Sequence, residues 1–102
     1  MKFEWDEAKR LVNIKKHGID FADLPPMFEG SAYTVEDARV DYGEDRYITF
    51  GFLDVRVLVV AHTDRYDVTL VNSDDDGWII RIISARKATK NEKAKFIKEV
   101  GL

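Results

Sequence analysis

The sequence predicts an α+β fold: two helices ahead of a four-stranded antiparallel sheet, and a third helix after it. Three observations predict it. Apolar residues recur near helical spacing at the start of the chain, the period changes to two from Tyr33 onward, and helical patterning returns behind a capping signal at Thr89. Runs of strands flanked by helices, rather than strands alternating with them, point to helices packed on an antiparallel sheet.

Residues 3–5 are a short apolar start with the character of an edge strand. Asp6 then suits an N-cap for a helix running to about His17, with Glu7 near its positive end. Ala8, Leu11, Val12 and Ile14 supply its apolar stripe, and Gly18 is a natural stop. Asp20 and Asp23 open a second helix with Phe21, Leu24 and Phe28 on one face. Pro25 and Pro26 lack N–H groups and fix φ, which should cut this helix to one or two turns.

From Tyr33 the strands read as residues 33–40, 46–53, 55–63 and 78–85, with turns at residues 42–45 and 53–54. Short connections between neighbours imply antiparallel pairing. Residues 68–71 are available to extend the hairpin as a strand outside the main sheet, and residues 72–77 form a polar, acidic loop. Thr89 and Glu92 fit a capping box for a helix toward Val100, with Ala94, Phe96, Ile97 and Val100 on its apolar side.

One hundred and two residues suffice for one core, so residues 1–102 are expected to be one domain. The absence of cysteine excludes a disulfide scaffold and a catalytic thiol. With His17 and His62 as the only histidines, neither a metal site nor a cofactor is expected. The opening MKFEWDEAKR has no apolar signal-peptide core, and the longest apolar run, residues 57–61, is too short to span a membrane. A cytoplasmic protein without membrane contact is expected.

The net charge of −3 is unevenly spread. Residues 21–77 carry four basic and thirteen acidic side chains, whereas residues 78–102 carry seven and two. A basic C-terminal quarter on an acidic body suggests a phosphate-binding face, although Lys90, Lys93, Lys95 and Lys98 equally suit the wet side of an amphipathic helix.

The informative stretch is Arg81-Ile82-Ile83-Ser84-Ala85-Arg86-Lys87-Ala88. Strand alternation places Arg81 with Ile79 and Ile83. Arginine is seldom buried without a partner, so Arg81 either pairs with a body carboxylate such as Asp37 or Glu44, or lines a cleft that takes an anion. Arg86, Lys87 and the Ser84 hydroxyl follow beside a helix N-terminus, whose free N–H groups also favour anions. The planar guanidinium matches phosphate. Arg65, just past a strand end, either joins this group or is a loop arginine. Arg46 and Arg56 read as wet surface and His62 as a packed, hydrogen-bonded residue. His17, beside Lys16 at a helix end, suits capping or acid–base work.

Read in order, these segments resemble a known family. Phe3-Glu4-Trp5-Asp6-Glu7-Ala8-Lys9, Asn13, Lys16-His17-Gly18-Ile19-Asp20-Phe21, Glu36-Asp37-Ala38-Arg39, Tyr42-Gly43-Glu44-Asp45-Arg46-Tyr47, Thr63-Asp64-Arg65, and the 81–88 stretch followed by Glu92 are similar to the BrnT toxins. The resemblance implies a RelE-like fold and a ribonuclease toxin of a type II toxin–antitoxin pair. It also implies a BrnA-like ribbon-helix-helix antitoxin as partner, through which alone operator DNA would be met. Such toxins cut RNA without a metal, with the substrate's own 2′-hydroxyl as nucleophile. Arg81 and Arg86 match the positions for phosphate and transition-state stabilisation. Arg65, Lys87, Ser84 and Lys90 would bind RNA, and His17 and Glu44 are the acid–base candidates.

The chain departs from the pattern in three places. Residues 66–77 form a long connection with four acidic and no basic side chains; without it the chain would carry +1. Folded over the arginines it would repel RNA. Pro25-Pro26 stands where a helix usually continues, and Phe96 where a tyrosine is expected. A second reading therefore stands beside the first: a non-catalytic antitoxin-binding or co-repressor module with the same fold.

Overall fold

The computed structural model describes residues 1–39, 41 and 43–102. Its sheet has five strands rather than four and is mixed rather than antiparallel. The order is β1 (Lys2–Trp5), β5 (Trp78–Lys87), β4 (Arg56–Tyr66), β3 (Tyr47–Leu53) and β2 (Tyr33–Glu36). β1 runs parallel to β5, with Lys2 opposite Ile79 and Trp5 opposite Ile82, and every other pairing is antiparallel. Parallel pairing joins segments distant in sequence, so no local turn announces it. That is why the first residues add a strand that periodicity did not count in the sheet.

The other strand boundaries differ in detail. The strand expected over residues 33–40 ends at Glu36, and Val40 lies outside the described residues, as does Tyr42 of the expected 42–45 turn. Asp54, at φ 56°, turns β3 into β4. Residues Val68–Leu70 form a 3₁₀ turn, not a strand, because the Asp67 carboxylate accepts the Thr69 N–H at 2.9 Å.

Helix α1 (Glu7–His17) begins and ends as its caps dictate. The Asp6 carboxylate accepts the Lys9 N–H at 3.0 Å, and Gly18, at φ 70°, donates its N–H to the Ile14 carbonyl. Its apolar stripe does not face the core: Leu11 is 56% exposed and Val12 62%, while Asn13 is buried. The helix lies beside the edge of β5 that β1 leaves uncovered. There the Asn13 amide donates to the Ile19 carbonyl at 2.9 Å and accepts the Ala85 N–H at 3.1 Å. A strand edge presents polar backbone, so the inward-facing side chain is an amide rather than a leucine.

Pro25 and Pro26 open a helix instead of breaking one. After a 3₁₀ turn, Phe21–Asp23, they occupy the first positions of α2 (Pro25–Glu29), where a missing N–H costs nothing. One sheet face carries the main core: Ile19, Phe21, Leu24 and Met27 pack on Leu58, Val60, Ile82 and Ala85. A Cβ on Gly51 would stand 2.7 Å from Met27 Cγ, so this glycine is what lets α2 sit directly on β3. Also on this face, His62 is buried with Nε2 2.6 Å from Thr49 Oγ1 and Nδ1 2.6 Å from Asp64 Oδ1, the packed role expected of it. Helix α3 (Lys90–Glu99) crosses part of the opposite face, where the Phe96 ring lies 5.3 Å from that of Phe52.

Candidate functional site

The part of that second face not covered by α3 is where the sequence-predicted cations gather, and a β-bulge gathers them. On β4, Val59, Ala61 and Thr63 alternate onto one face; their partners on β5 are Arg86, Ser84 and Arg81. The step from Arg81 to Ser84 is three residues because the register shifts between Ala61 and His62, leaving Ile83 as the additional residue. Strict alternation would have sent Arg81 and Arg86 to opposite faces. With the bulge, Arg65, Arg81, Ser84 and Arg86 all line the same one.

At one end, Arg65 and Arg81 share a carboxylate that sequence reading assigned no role. Glu4, opposite Arg81 on β1, accepts both terminal nitrogens of Arg65 and lies 3.5 Å from Arg81 Nη1. Neither Asp37 nor Glu44 is the partner of Arg81. The Arg65 hydrogen bond is the largest cause holding the Glu4 carboxyl below the usual carboxylate range. Arg81 remains 46% exposed and Arg65 57%, so both guanidiniums still face solvent.

At the other end, Arg86 donates two bonds to Glu92, at 2.7 and 3.0 Å. Glu92 completes the capping box at the start of α3 by accepting the Thr89 N–H at 2.8 Å. Together these donors, the Arg86 bond first, push its pKa down to about 2. The helix N-terminus expected to hold an anion therefore already holds one, the Glu92 carboxylate. Glu92 in turn raises the Arg86 pKa, while burial and the positive charge of Arg39 lower it.

His17 and Ser84 meet in a groove between α1 and the bulge, with a volume of about 360 Å³, lined also by Lys9, Lys16 and Ile83. The remaining sequence candidates lie apart. Glu44 is on the β2–β3 connection, 3.6 Å from Arg46, and β4 separates β3 from the strand that carries Arg81. Lys87 lies opposite Leu58, on the other sheet face at the end of β5, and Lys90 is exposed on the first turn of α3.

The acidic connection is tied down by its own caps and by the N-terminus. Asp75 and Asp76 cap the Gly77 and Trp78 N–H groups and bind the N-terminal ammonium, and Asn72 caps Asp74 and Asp75. Its electrostatic reach into the site is through Asp67, whose charge adds to that of Glu4 in raising the pKa of Arg65.

With this geometry in place, comparison with known families is decisive. The model of the family described as the ribonuclease toxin, BrnT, of type II toxin–antitoxin systems matches residues 5–92. The chain belongs to the BrnT family. No curated protein shows significant similarity to it. A BrnT chain is one half of a toxin–antitoxin pair, so an antitoxin partner follows from membership. The matched stretch contains α1, the bulge, Arg65, Arg81, Arg86 and Glu92; Glu4 lies just outside it. Phe96, where a tyrosine was expected, also lies outside it and is buried. Among the described residues no three imidazole or carboxylate side chains converge as a metal site would require, and no helix is long and apolar enough to cross a membrane.

Proposed function

We propose that this BrnT chain is a cytoplasmic, RelE-like endoribonuclease that cleaves RNA without a metal and thereby stops translation and growth. The observation that carries the proposal is the single exposed sheet face bearing Arg65, Arg81, Ser84 and Arg86, which the bulge assembles. A single RNA strand would lie along this face. From Arg81 to Arg86 is four residues along β4, about 13 Å, so the two guanidiniums meet different phosphates of one strand.

Cleavage in this reading is an in-line transfer. The 2′-oxygen forms a bond to phosphorus, the bond to the 5′-oxygen breaks, and a cyclic phosphate and a free 5′-hydroxyl result. The 2′-hydroxyl loses a proton to a base, and an acid returns one to the leaving oxygen. Arginine stabilises the charge that accumulates on the phosphate oxygens, a term worth about 3–4 kcal/mol per donor. His17, in the groove beside Ser84, serves the proton transfers, and Glu44 joins it only if the β2–β3 connection approaches the bound strand. Lys90, on the first turn of α3, extends the phosphate contacts past Arg86, and Lys87, on the opposite face of β5, joins them only where the strand turns around the end of β5. The antitoxin, of BrnA-like ribbon-helix-helix type, neutralises the toxin by covering this face and carries the complex to operator DNA.

A second reading has an observation of its own: Arg65, Arg81 and Arg86 are all held by carboxylates, as in a non-catalytic antitoxin-binding module. Induced expression of wild type and of the Arg81→Ala, Arg86→Ala double variant separates the two, with growth and total RNA integrity read in the same cultures. Toxicity with RNA loss, both absent in the folded variant, supports the ribonuclease. A soluble wild type without toxicity supports the binding module.

A further inference from the structure

A second cavity opens onto the same sheet face, and none of the residues assigned above to phosphate binding or proton transfer explains its chemistry. It lies between α3 and the β2–β3 pair, has a volume of about 220 Å³, and is lined by Tyr33, Val35, Phe50, Glu92, Lys95 and Phe96. Its position relative to the cations follows from register. Tyr33 faces Phe50, Phe50 faces Val59, and Val59 faces Arg86, so one row across the sheet runs from the aromatic cavity to the guanidinium. The next row, Val35, Ile48, Ala61 and Ser84, is small or aliphatic in its middle and forms the floor between the cavity and the bulge.

We propose that this cavity is a nucleobase subsite of the RNA-binding face, selective for uracil and guanine, whose O4 and O6 carbonyls stand where cytosine and adenine carry amino groups. The proposal rests on the ribonuclease reading and specifies how that site would hold its substrate. The volume is below the roughly 300 Å³ at which small-molecule sites usually begin, and suits one flat ring. Tyr33 is half-buried and its ring centroid is 6.3 Å from that of Phe50 at 36°, leaving a tilted aromatic wall rather than a closed stack. Such a wall gives a base a stacking surface whatever its sequence. The polar groups then decide among bases. Lys95 offers N–H donors and no acceptor, which favours O4 of uracil or O6 of guanine over the amino edge of adenine or cytosine. Glu92 has most of its acceptor capacity engaged by Arg86 and Thr89, so it adds little to the choice while fixing the cavity beside the phosphate-binding arginine. A phosphate on Arg86 and a base against Tyr33 are then neighbouring parts of one strand.

The test uses short single-stranded RNAs with a single 4-thiouridine, photocrosslinked to the full chain and mapped by mass spectrometry. Equilibrium binding of the unmodified RNAs over a range of salt accompanies it. Crosslinks are expected at Tyr33 or Phe50. Tyr33→Ala should weaken binding about tenfold with an unchanged salt slope, because stacking releases no counterions; Tyr33→Phe should bind within about twofold of wild type. Lys95→Ala, on an exposed helix position that leaves the fold intact, should erase the preference for uracil or guanine at the crosslinked position. The inference is overturned if RNA binds but neither Tyr33→Ala nor Lys95→Ala changes affinity or preference; the ribonuclease reading would survive that result. It is overturned also if Tyr33→Ala impairs antitoxin binding and leaves RNA binding intact, which would make the cavity a peptide pocket. Failure of the wild type to bind RNA at all would end both.

Discussion

Arg81 and Arg86 stand five positions apart in one strand and point to the same face of the sheet. An odd separation should divide them. They are united because β5 carries one more residue than β4 across the interval, and the surplus is absorbed at Ile83. The same phase change keeps Ala85 in the core with Ile82, three positions away, so one irregularity serves packing and site together.

Whichever of the two arginines meets the transferring phosphate, its replacement by alanine should lower the single-turnover cleavage rate by about a hundred- to a thousandfold, while the loss of the other, on a different phosphate, should fall on RNA binding. Arg81→Ala should leave stability within about 0.5 kcal/mol of wild type, because the side chain is exposed. Quench-flow cleavage assays and urea melts on the same preparations check both statements.

If RNA binds this face, Glu4 competes with it for Arg65 and Arg81. Its carboxyl is held below the ordinary range, chiefly by the Arg65 hydrogen bond, so it is ionised wherever the enzyme would work. Glu4→Gln should therefore tighten RNA binding by up to about fivefold, the worth of an exposed pair of about 1 kcal/mol, and steepen its salt dependence. Filter binding at several salt concentrations reads both. Weaker binding in the variant would show instead that Glu4 positions the guanidiniums.

The pH dependence of stability should carry the signature of Glu92. Its pKa is pushed from 4.5 to about 2 by Arg86 first and the Thr89 N–H after it. A carboxylate with a depressed folded-state pKa stabilises the fold above its ordinary pKa and surrenders that stability as pH falls through the folded value. Glutamine at this position keeps the reach of the capping box but not the charge. Glu92→Gln should be less stable than wild type by about 1 kcal/mol at pH 7, with the gap closing between pH 4.5 and about 2. Urea melts across that range would show a constant gap if the pair contributed nothing.

Asn13 closes the free edge of β5, and its loss should be felt throughout the fold. Asn13→Ala orphans the buried Ala85 N–H and the Ile19 carbonyl. The cost should be about 2–4 kcal/mol, seen as a lower urea midpoint at an unchanged slope. By contrast, Leu11→Ala on the same helix should cost little, since that side chain is mostly in water.

Much of this molecule was legible as sequence where the signal is local. Asp6, Gly18, Thr89 and Glu92 set helix ends through hydrogen bonds that span at most four residues, and the structure has each of them at the expected cap. The β3–β4–β5 strands announced themselves by period, and the cationic 81–88 stretch by composition. Leu11 and Val12 misled because helical spacing reveals that a face is apolar and not which way it points. Pro25 and Pro26 misled because proline ends one helix or starts another by the same chemistry, and only the packing of Met27 on Gly51 settles which.

The helix caps and the charge asymmetry were thus fixed by interactions within a turn or by a count, and family membership by the order of short segments along residues 5–92. The tertiary structure alone decided that β1 lies parallel to β5, that Glu4 is the carboxylate between Arg65 and Arg81, and that Arg81 and Arg86 share a face. Those facts depend on register between strands remote in sequence. Register is set by the packing of the whole sheet, and one additional residue in it reverses which way every later side chain points.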